Sequence, residues 1–275
     1  SVWEKPQPLS EAHRKLMRDF RLYMLVGGMP QAVNEYLDTN NLSAVDEVKR
    51  TILDLYDADF MKIDPSGRAS KIFSAIPSQL YGNRSRYQLS SVIPNADYSG
   101  YIELISEIEK TMTVNIAHHC DDPNVGLGAT ENLTQYKIYA GDTGLFTTLA
   151  FKDKSFTENV IYGKLLSDSL PANLGYMYEN IVAQTLAASG YKLFYHTWPT
   201  DSGKHSYEID FLLSKGSKIV HIEVKSSAYK THVSLDTFCE KYSSRLSNDR
   251  YLIYTKDYAK AGGVTYLPAY LTFLL

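Results

Sequence analysis

The sequence predicts an α/β protein, with a mainly helical N-terminal region and a C-terminal mixed sheet flanked by helices. Three observations carry this. Apolar residues recur at three- and four-residue spacings through the segments before residue 111, as helices require. After residue 190, short alternating runs bounded by turn residues dominate instead. Between them one helix-period stretch precedes three strand-like runs, a helix and further strands, the order of a sheet packed against helices. At 275 residues the chain exceeds the usual single domain, so two are expected, residues 1–155 and 156–275.

Taken in order, Glu11 to Met24 reads as a helix that Gly27-Gly28 stops, and Pro30 opens the next, over Gln31 to Leu37. Gly27-Gly28 is a hinge, since no Gly-Lys-Ser/Thr follows it. Leu42 to Ile63 forms a long helix with Val45, Val48, Ile52, Leu55 and Tyr56 on its apolar side. Asp54, Asp57, Asp59 and Asp64 fall at irregular spacing on a solvated face. Residues 65–96 hold a local basic patch, Arg68, Lys71, Arg84 and Arg86, with no acid among them until Asp97. Helices over Lys71 to Leu80 and Tyr101 to Thr111, then strands over Met112 to His118 and Gln135 to Ala140, make a winged-helix-like unit. The four cations are its candidate nucleic-acid contacts.

His118-His119-Cys120-Asp121-Asp122 resembles a ligand cluster. Neighbouring residues on a strand face opposite ways, however, so the stretch reads as a strand end entering a loop. Gly141 to Gly144 is a turn before a short helix over Leu145 to Phe151, and the polar run Lys152 to Pro171 is the seam between domains. A helix over Ala172 to Ser189 places Glu179 beside its apolar stripe, where a carboxylate requires a partner. A strand over Tyr191 to Trp198 leads into a hairpin. Ser234 to Tyr242 is then a helix, Tyr251 to Thr255 a strand, and Val264 to Leu267 with Ala269 to Phe273 the terminal strands.

Composition narrows the function. The 28 Lys+Arg against 31 Asp+Glu leave a net charge of −3, so no global basic footprint advertises nucleic acid, and contact there must come from local patches. Two cysteines without a paired framework indicate a reducing compartment, the cytoplasm. No apolar run reaches the length of a membrane span, so no membrane partner is expected. The chain opens Ser1-Val-Trp-Glu without an initiator Met and enters a helix within a few residues, as a C-terminal piece of a longer protein would.

The chemistry concentrates in the hairpin Ser206 to Ser226. With Gly216-Ser217 as its two-residue turn, Lys215 faces Lys218, Asp210 faces Glu223 and Glu208 faces Lys225. Ile209, Phe211, Val220, Ile222 and Val224 then share the other face. Phosphodiester hydrolysis needs an activated water, neutralisation of the phosphate charge and protonation of the leaving oxygen, most of which Mg²⁺ supplies. Mg²⁺ or Mn²⁺ is satisfied by two or three carboxylates and water, so Asp210 and Glu223 are the candidate ligands and Glu179 a third from the preceding helix. Lys225, on the same face as Glu223, is placed to orient the attacking water or to neutralise developing charge.

Glu179, Asp210 and Glu223-Val224-Lys225, in this order and setting, resemble the PD-(D/E)xK nuclease superfamily. Tyr23-Met-Leu-Val-Gly-Gly-Met-Pro30, Tyr136-Lys-Ile-Tyr-Ala-Gly-Asp-Thr-Gly-Leu145, Gly175-Tyr-Met-Tyr-Glu179, Glu208-Ile-Asp-Phe211 and His221-Ile-Glu-Val-Lys-Ser226 resemble, together, the C-terminal region of unknown function attached to prokaryotic AAA-type ATPases. The resemblance spans nearly the whole chain. It implies a restriction-endonuclease-like sheet at the C-terminus and an ATPase module upstream that would bind ATP, since these residues hold no Walker motif. His221 stands where the pattern has Pro. Two readings of the hairpin compete: a metal-dependent nuclease, and a silent nuclease-like fold serving as a protein- or DNA-binding regulatory module of the ATPase.

Overall fold

The computed structural model describes residues 6–82, 84–96, 100–152, 163, 166, 175–200, 202–227, 230–242 and 246–275. Most of the seam assigned to Lys152 to Pro171 lies outside these. The fold is mixed α/β, and the chain forms two compact units that interleave in sequence. One comprises Met17–Asn115 and Ile138–Gln184, the other Ser1–Leu16, Ile116–Lys137 and Thr185–Leu275.

The first unit is helical. It contains most of α1 (Glu11–Val26), then α2 (Pro30–Thr39), α3 (Leu42–Ile63), α4 (Arg68–Ser74), α5 (Ile76–Tyr81), α6 (Ile102–Lys110), α7 (Thr143–Ala150) and the first turns of α8 (Gly175–Ala188). Pro30 opens α2 and Asn41 caps α3 by accepting from Ser43 N, so these boundaries follow the sequence signals. Leu53 replaces Leu55 on the buried side of α3; Leu55 is exposed. Lys71 to Leu80 is two helices rather than one, broken at Ala75 ahead of Pro77. Asp64 departs from the solvated face expected of it. Its buried carboxylate accepts from Ser66, Arg68 and Ala69 and so fastens the start of α4.

Two glycine-bearing segments that read as a hinge and a turn meet in this unit. Asp142 caps α7 by accepting from Leu145 N at 2.8 Å through Oδ1, while its Oδ2 accepts from Gly28 N at 2.7 Å. A Cβ on Gly144 would lie 2.4 Å from Val26 O and 2.6 Å from Gly27 N, so only glycine permits the approach. Gly27, at φ 84°, needs the left-handed conformation as well. The fully buried Lys49 donates to Leu25 O at 2.6 Å and Gly144 O at 3.2 Å, tying α3 to both segments. Asn180 of α8 pairs with both backbone groups of Ala140, and Gln184 accepts from Thr143 N.

Among the described residues, the second unit is built on a sheet of eight strands in the order β2-β1-β3-β4-β5-β6-β8-β7. The strands are β1 (Val114–Cys120), β2 (Glu131–Ala140), β3 (Leu193–Pro199), β4 (Ser206–Lys215), β5 (Lys218–Lys225), β6 (Leu246–Tyr254), β7 (Ala259–Ala261) and β8 (Val264–Pro268). β1 and β2, which the sequence groups with the helices as a wing, belong to this sheet. β1 runs parallel to β3, and its residues are buried on both faces as an interior strand's are. The helix α9 (Val233–Lys241) packs on the centre of the sheet through Leu235 and Phe238, in one cluster with Phe194, Trp198, Leu212 and Leu252. Ala269 to Phe273 is a 3₁₀ turn, not a strand, because Pro268 ends the ladder.

Two outcomes are expected. Gly144→Ala lowers stability by about 1–3 kcal/mol through backbone overpacking, read as a fall in urea midpoint at constant m-value. Burial lowers the Lys49 pKa to about 8, against the attraction of Asp46 and Asp142. Above pH 8 the folded chain then binds fewer protons than the unfolded one, so stability rises with pH from about 8 toward the ordinary lysine value near 10.5. Thermal melts across that window should show this rise in the wild type and not in Lys49→Met.

Candidate functional site

The hairpin forms in the register that its turn dictates. Lys215 pairs with Lys218, Leu213 with Val220 and Phe211 with Ile222, and Gly216 takes φ 61° as the first central residue of the turn. On its other side β4 does not keep step. Phe194 of β3 pairs with Leu212, yet His196, two residues on, pairs with Ile209, three residues back. β4 therefore carries one extra residue at Asp210-Phe211, a β-bulge, which breaks the alternation of side chains.

The bulge redistributes the charges. Ile209 joins Leu212 and Ile219 in the cluster beneath α9, so it does not share a face with Phe211 as strict alternation predicts. Glu208 is ion-paired with the buried Lys137 of β2 rather than with Lys225, and Lys137 also lies 5.5 Å from the Tyr195 ring centroid. Lys225 pairs instead with Glu223, Nζ to Oε1, at 3.1 Å. Asp210 turns its Oδ2 toward the neighbouring strand and accepts from Val224 N at 2.7 Å. The two acids of the candidate site thus bracket the same stretch of β5, one through its backbone and the other as its side chain.

Glu223 is 8% exposed, and its Oε2 has no hydrogen-bond partner among the described residues. Desolvation raises its pKa, and the adjacent Lys225 offsets part of that rise. A buried carboxylate oxygen without a donor costs free energy unless a proton, a cation or a ligand meets it. Three residues that the sequence reading passed over stand close by. His232, just before α9, lies 2.8 Å (Nδ1) from Asp236 Oδ2, and Asp236 Oδ1 lies 3.8 Å from Arg250 Nη1 of β6. His232 favours the ionised form of Glu223 and Asp236 opposes it. The i,i+4 spacing of His232 and Asp236 was legible in the sequence; their delivery to β5 was not.

The remaining nominated residues are carried by other elements and the segments between them. Glu179 is half-buried on α8, in the helical unit, while Asp210, Glu223 and Lys225 belong to the sheet unit. Arg68 is engaged by Asp64 and lies 5.4 Å from the Tyr101 ring centroid, and Arg84 donates to Gln88 and Ser91. Lys71 is exposed on α4, and Arg86 is exposed before Leu89. The His118 to Asp122 stretch resolves into separate pairings. His118 faces Glu131 at 3.7 Å, whereas His119 contacts Asp121 at 2.8 Å and accepts from Thr197 N at 3.1 Å.

Among the described residues, no group of three or more His, Cys, Asp and Glu is gathered as a metal ion would require. The donors at Glu223 and Asp210 are oxygens, one of them buried without a donor. That suits a hydrated Mg²⁺ or Mn²⁺, which keeps several waters and needs one or two carboxylates, and does not suit a four-coordinate zinc.

Fold and site together define a mixed α/β protein whose central hairpin presents an acidic pair and a lysine. The chain belongs to the family described as a domain of unknown function, DUF8612, whose model matches residues 17–155, and residues 174–271 match the model of a second domain of unknown function, DUF4143. No curated protein and no solved structure matches the chain. No helix among the described residues is long and apolar enough to cross a membrane.

The raised pKa of Glu223 has a measurable consequence. Above it the folded state holds a penalised carboxylate, and below the ordinary glutamate range both states are protonated and the penalty is gone. Glu223→Gln should therefore raise Tm at neutral pH by a few degrees, with the gain shrinking to nothing as pH falls through the ordinary glutamate range, followed by calorimetry.

Proposed function

We propose that the sheet unit is a Mg²⁺- or Mn²⁺-dependent phosphodiesterase acting on nucleic acid, of the PD-(D/E)xK kind. One observation carries the reading: a buried Glu223 carboxylate with an unmet oxygen, beside Lys225 and one strand from Asp210. Burying a carboxylate oxygen without a donor costs stability, and a bound cation would offset that cost. Asp210 and Glu223 are the ligands. Bound there, the ion would supply charge neutralisation at the phosphate and a more acidic water. Lys225, held at 3.1 Å from Glu223, is positioned to steer that water or to stabilise charge on the non-bridging oxygens.

The full protein is proposed to be prokaryotic and cytoplasmic, with an AAA-type ATPase module upstream that binds ATP and governs this domain. DNA binding by a winged-helix-like region through Arg68, Lys71, Arg84 and Arg86 is the weaker element, because Arg68 and Arg84 are already engaged. A second reading, a nuclease-like fold used as a silent protein- or DNA-binding regulatory module, draws on the Lys225–Glu223 ion pair, which already partners one oxygen of the acid.

Titration with Mn²⁺ separates the two. The nuclease reading expects a saturable site that Asp210→Ala and Glu223→Ala each abolish, and oligonucleotide cleavage that falls by about 100-fold or more in Lys225→Ala. Unchanged metal binding in both acid variants would sink it in favour of the silent module.

A further inference from the structure

Cleaving a phosphodiester leaves an alkoxide that must be protonated, and neither Asp210, Glu223 nor Lys225 has that task in the scheme above. His232 stands where a donor is needed. α9 is anchored over the face of β5 that carries Glu223, because Cys239 near its C-terminal end lies 3.1 Å (Sγ) from Nε2 of the buried His221, two residues before Glu223. His232 is seven residues before Cys239, about 10 Å along a helix, and Glu223 is two residues beyond His221, about 7 Å along a strand. Glu223 pairs with Leu252 of β6 and Leu252 with Tyr266 of β8, and the His232 ring lies 6.3 Å from that of Tyr266, so the start of α9 lies at the Glu223 end of β5, in keeping with the electrostatic effect of His232 on that carboxylate.

Asp236 Oδ2 lies 2.8 Å from Nδ1 of the ring, and Arg250 Nη1 lies 3.8 Å from Oδ1 of the same carboxylate. The Tyr266 ring stands 6.3 Å away, edge-on. The side chain remains 21% exposed. Among the described residues, the charged and titratable groups near it are Asp236 on α9, Glu223 on β5, Arg250 on β6 and Tyr266 on β8.

We propose that His232, oriented by Asp236, donates the proton to the leaving oxygen during phosphodiester hydrolysis at the Asp210–Glu223–Lys225 site, an inference that rests on the nuclease reading. The water oxygen forms the new bond to phosphorus, and the bond to the leaving oxygen breaks with its electron pair on that oxygen. That oxygen takes the Nε2 proton, the water's proton passes to solvent, and the imidazole regains a proton from solvent.

The test compares leaving groups. Wild type, His232→Gln and Glu223→Gln would be assayed with Mn²⁺ on a single-stranded oligonucleotide, whose alkoxide requires a proton, and on bis(p-nitrophenyl) phosphate, whose phenolate does not. Mn²⁺ binding would be measured by calorimetry in parallel. The expected result is that His232→Gln binds Mn²⁺ as wild type does, hydrolyses the aryl diester within about twofold of wild type and loses about 100-fold or more on the oligonucleotide. Equal loss on both substrates, or full activity on both, overturns the role of His232 and leaves the nuclease reading standing. Absence of Mn²⁺ binding and of cleavage in wild type overturns the nuclease reading, and the inference with it.

Discussion

One extra residue in a central strand decides which charges meet in the sheet unit. The bulge at Asp210-Phe211 turns Glu208 toward Lys137, leaves Lys225 to Glu223, and drops Ile209 into the cluster under α9. Without it, strict alternation would align Glu208, Asp210, Glu223 and Lys225 on one face. Three carboxylates would then share one lysine, a net charge of −2 crowded on that face. With the bulge, one ion pair is taken away to β2, and the site retains two acids against one lysine, an excess of negative charge that a cation can use.

The helical unit relies on a different economy of contacts. Here buried polar groups stand alongside the apolar core. Asp142 satisfies two backbone donors, Lys49 two backbone acceptors, and Asn180 and Gln184 further backbone groups around Ala140 and Thr143. Such a network holds its segments at one distance, because each buried group left unpaired costs more than an apolar mismatch would. Gly27 and Gly144 set that distance, since no side chain fits between the two backbones.

The desolvated Glu223 and the network about Asp142 are opposite uses of buried polarity. Both carboxylate oxygens of Asp142 are matched by an amide, and it acts as a fastener. Glu223 keeps one oxygen unmet among the described residues, and the fold bears that cost at a position flanked by Lys225, His232 and Asp236. An oxygen without a donor is open to a proton or a cation in a way that a fully satisfied carboxylate is not.

Sequence alone determined the elements with strong local signals. α3 begins and ends where its periodicity does, α2 opens at Pro30, and the β4–β5 turn falls at Gly216-Ser217 because two residues with glycine first permit little else. It also determined the Glu-x-Lys pair on one face of β5, since a period of two needs no tertiary information. Tertiary structure decided the rest. β1 and β2 joined the large sheet, Asp64 was buried as a helix cap, Ala269 to Phe273 curled into a 3₁₀ turn, and Glu208 found Lys137 instead of Lys225. These outcomes share a cause. Strand neighbours, bulges and the partner of a buried charge are set by residues tens of positions away, and the local pattern of a strand carries no record of which neighbour its backbone will meet or where that neighbour will slip by one residue.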